Sequence, residues 1–186
     1  MTSGLTVLKD KVYTVEDYMK LDDDNRYELI DGFLIREPRP RYEHQKTGGR
    51  LYNQIANYLQ HNPVGEVIYE MDVHLGDKVV GPDVLFVAQE RRSIIGELYL
   101  TAAPDLVVEV LSPSTAAYVK KTKSKLYFEN GVREYWIVDP DQALVEVLAA
   151  GEQEWRWGGV YGCDDVLTTS LLPGLEIKLS DVFTCG

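Results

Sequence analysis

A chain of 186 residues with 45% hydrophobic and 26% charged residues has enough apolar side chain for one compact core and fits neither a disordered segment nor a collagen-like repeat. Its 30 acidic residues against 19 basic ones give a formal net charge of -11, which excludes a uniformly basic nucleic-acid coat and leaves only a local basic cleft for a polyanionic partner. Cys163 and Cys185 are too few for a disulfide scaffold and fit no zinc spacing with His44, His61 or His74, so a reducing, cytoplasmic home is expected.

No run reaches the roughly 18 unbroken apolar residues of a spanning helix, because Asp83 and Glu109 interrupt the two longest candidates, and no membrane association is expected. The opening residues, MTSGLTVLKDKV, lack the apolar stretch of a secretory leader and read as a flexible arm over 1–12. No repeat, low-complexity tract or Ser/Gly linker marks a second unit, so residues 1–186 are expected to form a single domain.

In chain order, Thr14 and Asp17 form a capping-box pattern that opens a short helix ending near Leu21. Residues 26–30 and 33–37 flank Asp31 and Gly32, a pair that tolerates positive φ at both positions, which predicts a hairpin closed by a type I′ turn. Beyond Pro38 and Pro40, Leu51, Ile55, Tyr58 and Leu59 recur on one helical face, predicting a helix over 43–60 with His44 in its first turn. Extended segments follow at 66–75, 79–87 and 106–111. The latter two are apolar on both faces, as in central strands covered on two sides. Pro113 and Ser114 then start a helix that Asn130 and Gly131 end. Strands at 134–138, 144–148, 154–157 and 175–179 complete the order, with antiparallel additions to the sheet expected. This is an α/β domain with a mixed central β-sheet flanked by helices.

Two residues break that apolar pattern. Asp83 interrupts the segment 79–87 and Glu109 the segment 106–111, and an ionised carboxylate in a core strand must be paired, hydrogen-bonded or metal-bound. Taken singly, Asp83 fits an exposed strand start and Glu109 a salt bridge to a lysine. Taken together, adjacent strands about 4.8 Å apart can bring both carboxylates to one hard cation. Asp105 is a poor partner for Glu109, since four extended residues span roughly 13 Å while magnesium ligands lie about 2.1 Å from the ion. It is expected to cap the strand or face solvent.

Pro82-Asp83 followed after 25 residues by Glu109-Val-Leu111 resembles the PD-(D/E)XK motif of the restriction-endonuclease-like superfamily. The wider string sharpens this: Tyr27-Glu-Leu-Ile-Asp-Gly32, His44-Gln45, Gly81-Pro-Asp83, Pro104-Asp-Leu-Val-Val-Glu-Val-Leu-Ser-Pro-Ser114, Lys123, Tyr127 and Gly131-Val-Arg-Glu-Tyr-Trp136. From about Tyr13 to its C-terminal end the chain resembles the Uma family of candidate restriction endonucleases. The resemblance implies a restriction-endonuclease-like fold and Mg²⁺-dependent (or Mn²⁺-dependent) hydrolysis of phosphodiester bonds in nucleic acid, with DNA favoured. It implies Asp83 and Glu109 as catalytic metal ligands, the Val110 carbonyl as a further oxygen ligand and Lys123 as the catalytic cation beside water and phosphate. Glu28 and His44 match accessory positions. Two departures stand out. Leu111 replaces the lysine expected two residues beyond the acid, and Val119 replaces an acid expected four residues before Lys123.

The alternative is a catalytically impaired nuclease-fold protein that binds nucleic acid or regulates. A third reading makes Asp83 and Glu109 structural partners of core lysines. Positive charge is concentrated at Lys120, Lys121, Lys123 and Lys125, and at Arg36, Arg39, Arg41, Lys46 and Arg50. Tyr127, Tyr135 and Trp136 are expected to pack the helix-to-strand junction, and Trp155 and Trp157 to serve the core or an oligomer contact. A homodimer would place two sites on two strands. No phosphate-binding glycine loop and no serine-hydrolase signature is present.

Overall fold

The computed structural model describes residues 4–184. The short strand β1 (Thr6–Leu8) comes first, then α1 (Val15–Met19), whose Thr14 Oγ1 accepts the Asp17 amide at 3.2 Å while Asp17 Oδ2 accepts the Thr14 amide at 2.9 Å. Strands β2 (Tyr27–Ile30) and β3 (Phe33–Arg36) form the expected hairpin, with φ of 51° at Asp31 and 78° at Gly32. β1 corrects the reading of 1–12 as a flexible arm: it pairs antiparallel with β3, from Thr6 opposite Arg36 to Leu8 opposite Leu34, since the hairpin's outer edge offers unpaired backbone groups. Residues 1–3 lie outside the described chain. Helix α2 (Tyr42–His61) buries Leu51 and Ile55 completely, as its periodicity requires.

The segments expected at 66–75 and 79–87 are each two strands. β4 (Gly65–Tyr69) and β5 (Asp72–Leu75) are separated at Glu70, whose φ is 51°. β6 (Lys78–Val80) and β7 (Val84–Ala88) are separated at Gly81-Pro82, where proline has no amide to give a ladder. Each break sends the chain from one sheet to another. After β8 (Tyr99–Leu100) and β9 (Leu106–Val110), a helical crossover of α3 (Ala116–Tyr118), a π turn (Val119–Lys123) and α4 (Ser124–Glu129) ends at Gly131, in the left-handed region at φ 87°. Then come β10 (Glu134–Asp139), β11 (Leu144–Ala150) and β12 (Trp155–Tyr161).

The main sheet has the order β12-β11-β10-β9-β7-β4, parallel between β9 and β10 and antiparallel elsewhere. A second sheet, β1-β3-β2-β6-β5-β8, was not legible as a separate layer. The main sheet is covered on both faces. Leu51 and Ile55 of α2 pack with Val84, Val108 and Trp136, whereas Leu126 and Tyr127 of the crossover pack with Leu85, Val107 and Tyr135. The strand expected at 175–179 is shorter, β14 (Ile177–Lys178), paired with β13 (Val166–Leu167). No helix among the described residues is long and apolar enough to cross a membrane. Cys163 is not a free thiol, so cysteine usage carries no argument for a reducing compartment, and Cys185 lies outside the described residues.

Candidate active site

The break at Gly81-Pro82 sets Asp83 immediately before β7. Antiparallel register pairs Val84 with Val108, so one step further along the ladder sets Asp83 opposite Glu109 of β9. Opposed residues share a face of the sheet, and this face is the one covered by the helical crossover. Asp83 is 6% exposed and Glu109 4%. Asp83 Oδ2 accepts the Val110 amide at 2.7 Å, and His44 Nε2 in the first turn of α2 lies 3.4 Å from the same oxygen.

Lys123, fully buried, ends the π turn. Its Nζ lies 2.5 Å from Glu109 Oε1 and 2.7 Å from Glu28 Oε1. Glu28 comes from β2 of the second sheet, so the ion pairs join the two sheets through the crossover. A π turn bonds residues five apart and brings Tyr118 and Lys123 to one side of the helix. Both then face Glu28, whose Oε2 accepts the Tyr118 hydroxyl at 2.5 Å and whose Oε1 accepts the Gly81 amide at 3.0 Å. Tyr127 donates its hydroxyl to Glu109 Oε1 at 2.6 Å.

Burial raises the Asp83 carboxyl to about 6, against the pull of the Val110 amide and Lys123. Burial likewise raises Glu109 to about 7, with Lys123 opposing and Asp83 adding repulsion. Desolvation works to neutralise Lys123, but Glu109 and Glu28 outweigh it and hold its pKa well above the usual lysine value, so the ammonium stays charged. His44 is pushed down to about 4, first by burial and then by Arg26, so its imidazole is neutral near pH 7.

A cleft of about 240 Å³ opens over this group. Asp83, Glu109, Val110 and His44 face it, together with Arg26, Glu37, Arg39 and Arg41. Glu37, between β3 and α2, is raised to about 8 by burial and by the neighbouring Glu28 charge. Lys123 does not line the cleft; Glu109 and Glu28 engage its ammonium.

Asp83, Glu109, Val110, Lys123, Glu28 and His44, singled out in the sequence, thus come together at one place. The rest of the basic stretches divide. Arg39 and Arg41 reach the cleft, whereas Lys46 donates to Thr184 Oγ1 at 2.7 Å and Arg50 to the Val182 carbonyl at 3.0 Å. Lys120 and Lys125 sit 3.6 Å from Glu146 and Glu129. Asp105 does not face solvent: it is fully buried, accepts the Ala88 amide at 2.9 Å and pairs with Arg91 at 3.1 Å and Arg133 at 3.3 Å. Leu111 and Val119, at the two departures, are buried apolar core residues. Trp155 packs on Phe128 and Tyr135, while Trp157 is 70% exposed. Arg26, Glu37 and the Tyr118 hydroxyl escaped the sequence reading, and Tyr127 was expected only to pack. The available signal was the placement of Tyr118 and Tyr127 five residues before and four after Lys123, on the helix that carries it.

The donor set suits a hard cation. Among the described residues Asp83 Oδ1 and Glu109 Oε2 have no hydrogen-bond donor, and both side chains face the cleft. Among those residues no group of three or more His, Cys, Asp or Glu side chains is disposed to hold a metal ion, as an all-protein zinc or calcium cage requires. Magnesium differs, because it keeps several waters and takes only one or two carboxylates.

The family model described as "Uma2: Putative restriction endonuclease" matches residues 15–180. No curated protein matches the chain. Among solved structures, one described as a "putative nuclease belonging to DUF820 from Anabaena variabilis ATCC 29413" superposes with a TM-score of 0.77 at 22% identity, over 92% of this chain and 97% of that one. At that identity the likeness speaks for the shared fold.

Proposed function

This chain belongs to the Uma2 family, whose members are described as putative restriction endonucleases, and from that premise we propose that it is a Mg²⁺-dependent endonuclease hydrolysing phosphodiester bonds of DNA. The observation that carries the reading is the pairing of Asp83 and Glu109 at the floor of a cleft that three arginines line. Magnesium, with manganese as a substitute, would be held by Asp83, Glu109 and the Val110 carbonyl, and when bound would polarise the phosphate and acidify a water.

The chain's own residues supply the rest. Lys123 favours the ionised form of Glu109 against burial and engages one of its oxygens, leaving the other toward the cleft; this is a positioning role rather than contact with the phosphate. Tyr127 fixes the same oxygen. The neutral imidazole of His44 accepts or donates a proton at Nε2 beside Asp83. Arg26, Arg39 and Arg41 offset the overall charge of -11 where a polyanion must approach. A homodimer acting in the cytoplasm on two DNA strands fits this reading.

Two observations favour a nucleic-acid-binding protein without turnover: Lys123 is sequestered by two carboxylates, and Val119 stands where an acid was expected. Two assays separate the readings: titration calorimetry of Mg²⁺ and Mn²⁺, and cleavage of plasmid, single-stranded DNA and RNA, each with Asp83→Ala, Glu109→Ala and Lys123→Ala alongside wild type. Metal binding and DNA cleavage, both lost in the Asp83 variant, support the endonuclease. Metal binding without cleavage of any substrate supports the alternative.

A further inference from the structure

A second cavity, of about 340 Å³, adjoins the cleft, and Arg26, Glu37 and Gly81 belong to the walls of both. Its volume falls in the range of about 300–1,000 Å³ that encloses a small organic ligand. Tyr18 and Tyr27 supply two aromatic side chains, and the exposed Met19 and Leu21 add apolar surface. The polar part is acceptor-rich. Asp72 Oδ2 accepts the Tyr18 hydroxyl at 2.8 Å, which leaves Oδ1 without a hydrogen-bond donor among the described residues. Asn25 and Asp23 also line it, with Asp23 already accepting the Asn25 amide and the Tyr27 hydroxyl.

This lining selects against an anion, since the Asp23 and Asp72 carboxylates outnumber Arg26 and Glu37 adds no positive charge. It suits a neutral, flat heterocycle that stacks on tyrosine and donates hydrogen bonds to carboxylates. A nucleobase with an exocyclic amino group has those properties. A base unstacked beside a phosphate held over Asp83 and Glu109 has only the shared Arg26, Glu37 and Gly81 wall to cross. We propose that this cavity is a base-reading subsite that takes the nucleobase adjoining the scissile phosphate, with Asp72 accepting from the exocyclic amino group of cytosine, adenine or guanine. The proposal rests on the nuclease reading of the neighbouring cleft.

The test is titration of the full chain, in EDTA, with dCMP, dAMP, dGMP, dTMP and, separately, inorganic phosphate, followed by NMR shifts of Leu21, Asn25 and Asp72. The three amino-bearing nucleotides are expected to shift these signals, with dTMP at least fivefold weaker and inorganic phosphate without effect. Leu21→Trp, which adds bulk at an exposed position on the rim, should weaken binding at least fivefold. Asp72→Asn, which gains a donor, should bring dTMP within twofold of the others. Shifts no larger than those from phosphate, equal affinity for all four nucleotides, or binding indifferent to Leu21→Trp overturns the subsite. No metal or cleavage enters this assay. DNA cleavage without nucleotide binding therefore removes the subsite alone, and nucleotide binding without cleavage of any nucleic acid removes the nuclease reading alone.

Discussion

Lys123 and Glu109 form an ion pair 2.5 Å long, with Lys123 wholly buried and Glu109 4% exposed. Removing one partner of such a pair leaves an uncompensated charge in the core. Lys123→Met is expected to cost about 3–5 kcal/mol, because Glu28 and Glu109 both lose their cation. Adding Glu109→Gln to that variant should recover part of the loss. Urea denaturation measures both, and a Lys123→Met chain as stable as wild type would contradict the pairing.

Tyr127 gives a finer probe of the same carboxylate. Its hydroxyl donates to Glu109 Oε1 at 2.6 Å inside the core, and hydrogen bonds to charged groups are worth about 1.5–3 kcal/mol. Tyr127→Phe keeps the ring and should lose stability of that order, while pushing the Glu109 pKa further up. Carbon-detected NMR titration of the Glu109 carboxyl checks the shift. An unchanged or lower value would show that the hydrogen bond does not stabilise the ionised form.

Acid should strengthen the metal-free chain. Asp83, Glu109 and Glu37 are raised to about 6, 7 and 8, so the folded state binds their protons more tightly than the unfolded one. That contribution is full below the ordinary carboxylate range and is lost as pH climbs through about 6 to 8. His44, lowered to about 4, acts oppositely: its contribution is present above its ordinary value and lost as pH falls toward 4. Between pH 5.5 and 8 the three carboxyls outweigh it, and the melting temperature in EDTA should be higher at pH 5.5. Glu37→Gln should flatten this dependence. A melting temperature that rises with pH would contradict the assignment.

Gly65 tests the strand pairing that supports Asp83. It lies opposite Ala88 in the β4–β7 ladder, and a Cβ there would run into the Val87 carbonyl oxygen and stand 2.5 Å from the Phe86 ring. Gly65→Ala is expected to destabilise by about 1–3 kcal/mol, as overpacking does. Denaturation midpoints within error of wild type would mean that β4 lies elsewhere.

Local signals were legible where one or two residues dictate a conformation: Thr14 and Asp17 for the helix cap, Asp31 and Gly32 for the turn, Leu51 and Ile55 for the face of α2. The two acids announced the site because a charge in an apolar strand demands a partner. Other features had no local signature. An apolar run does not say which sheet it joins, so the breaks at Glu70 and at Gly81-Pro82 hid the second layer. A π turn has the composition of an α-helix, and a tyrosine ring reads as core whether or not its hydroxyl serves a carboxylate. Glu37 sits beside Pro38 and looks like solvent-facing turn chemistry, although the fold half-buries it between two cavities. Asp105 likewise needed the positions of Arg91 and Arg133 before its burial made sense.

The most direct measurement of the central claim is nicking of supercoiled plasmid by the full chain in Mg²⁺ and in EDTA, with Asp83→Asn beside it. Asn keeps the shape of the side chain and its acceptor for the Val110 amide while removing the charge that would hold the cation. The account predicts cleavage in Mg²⁺, none in EDTA, and at least a hundredfold loss in Asp83→Asn with the fold intact. Equal cleavage by the variant, or cleavage that persists in EDTA, would contradict it.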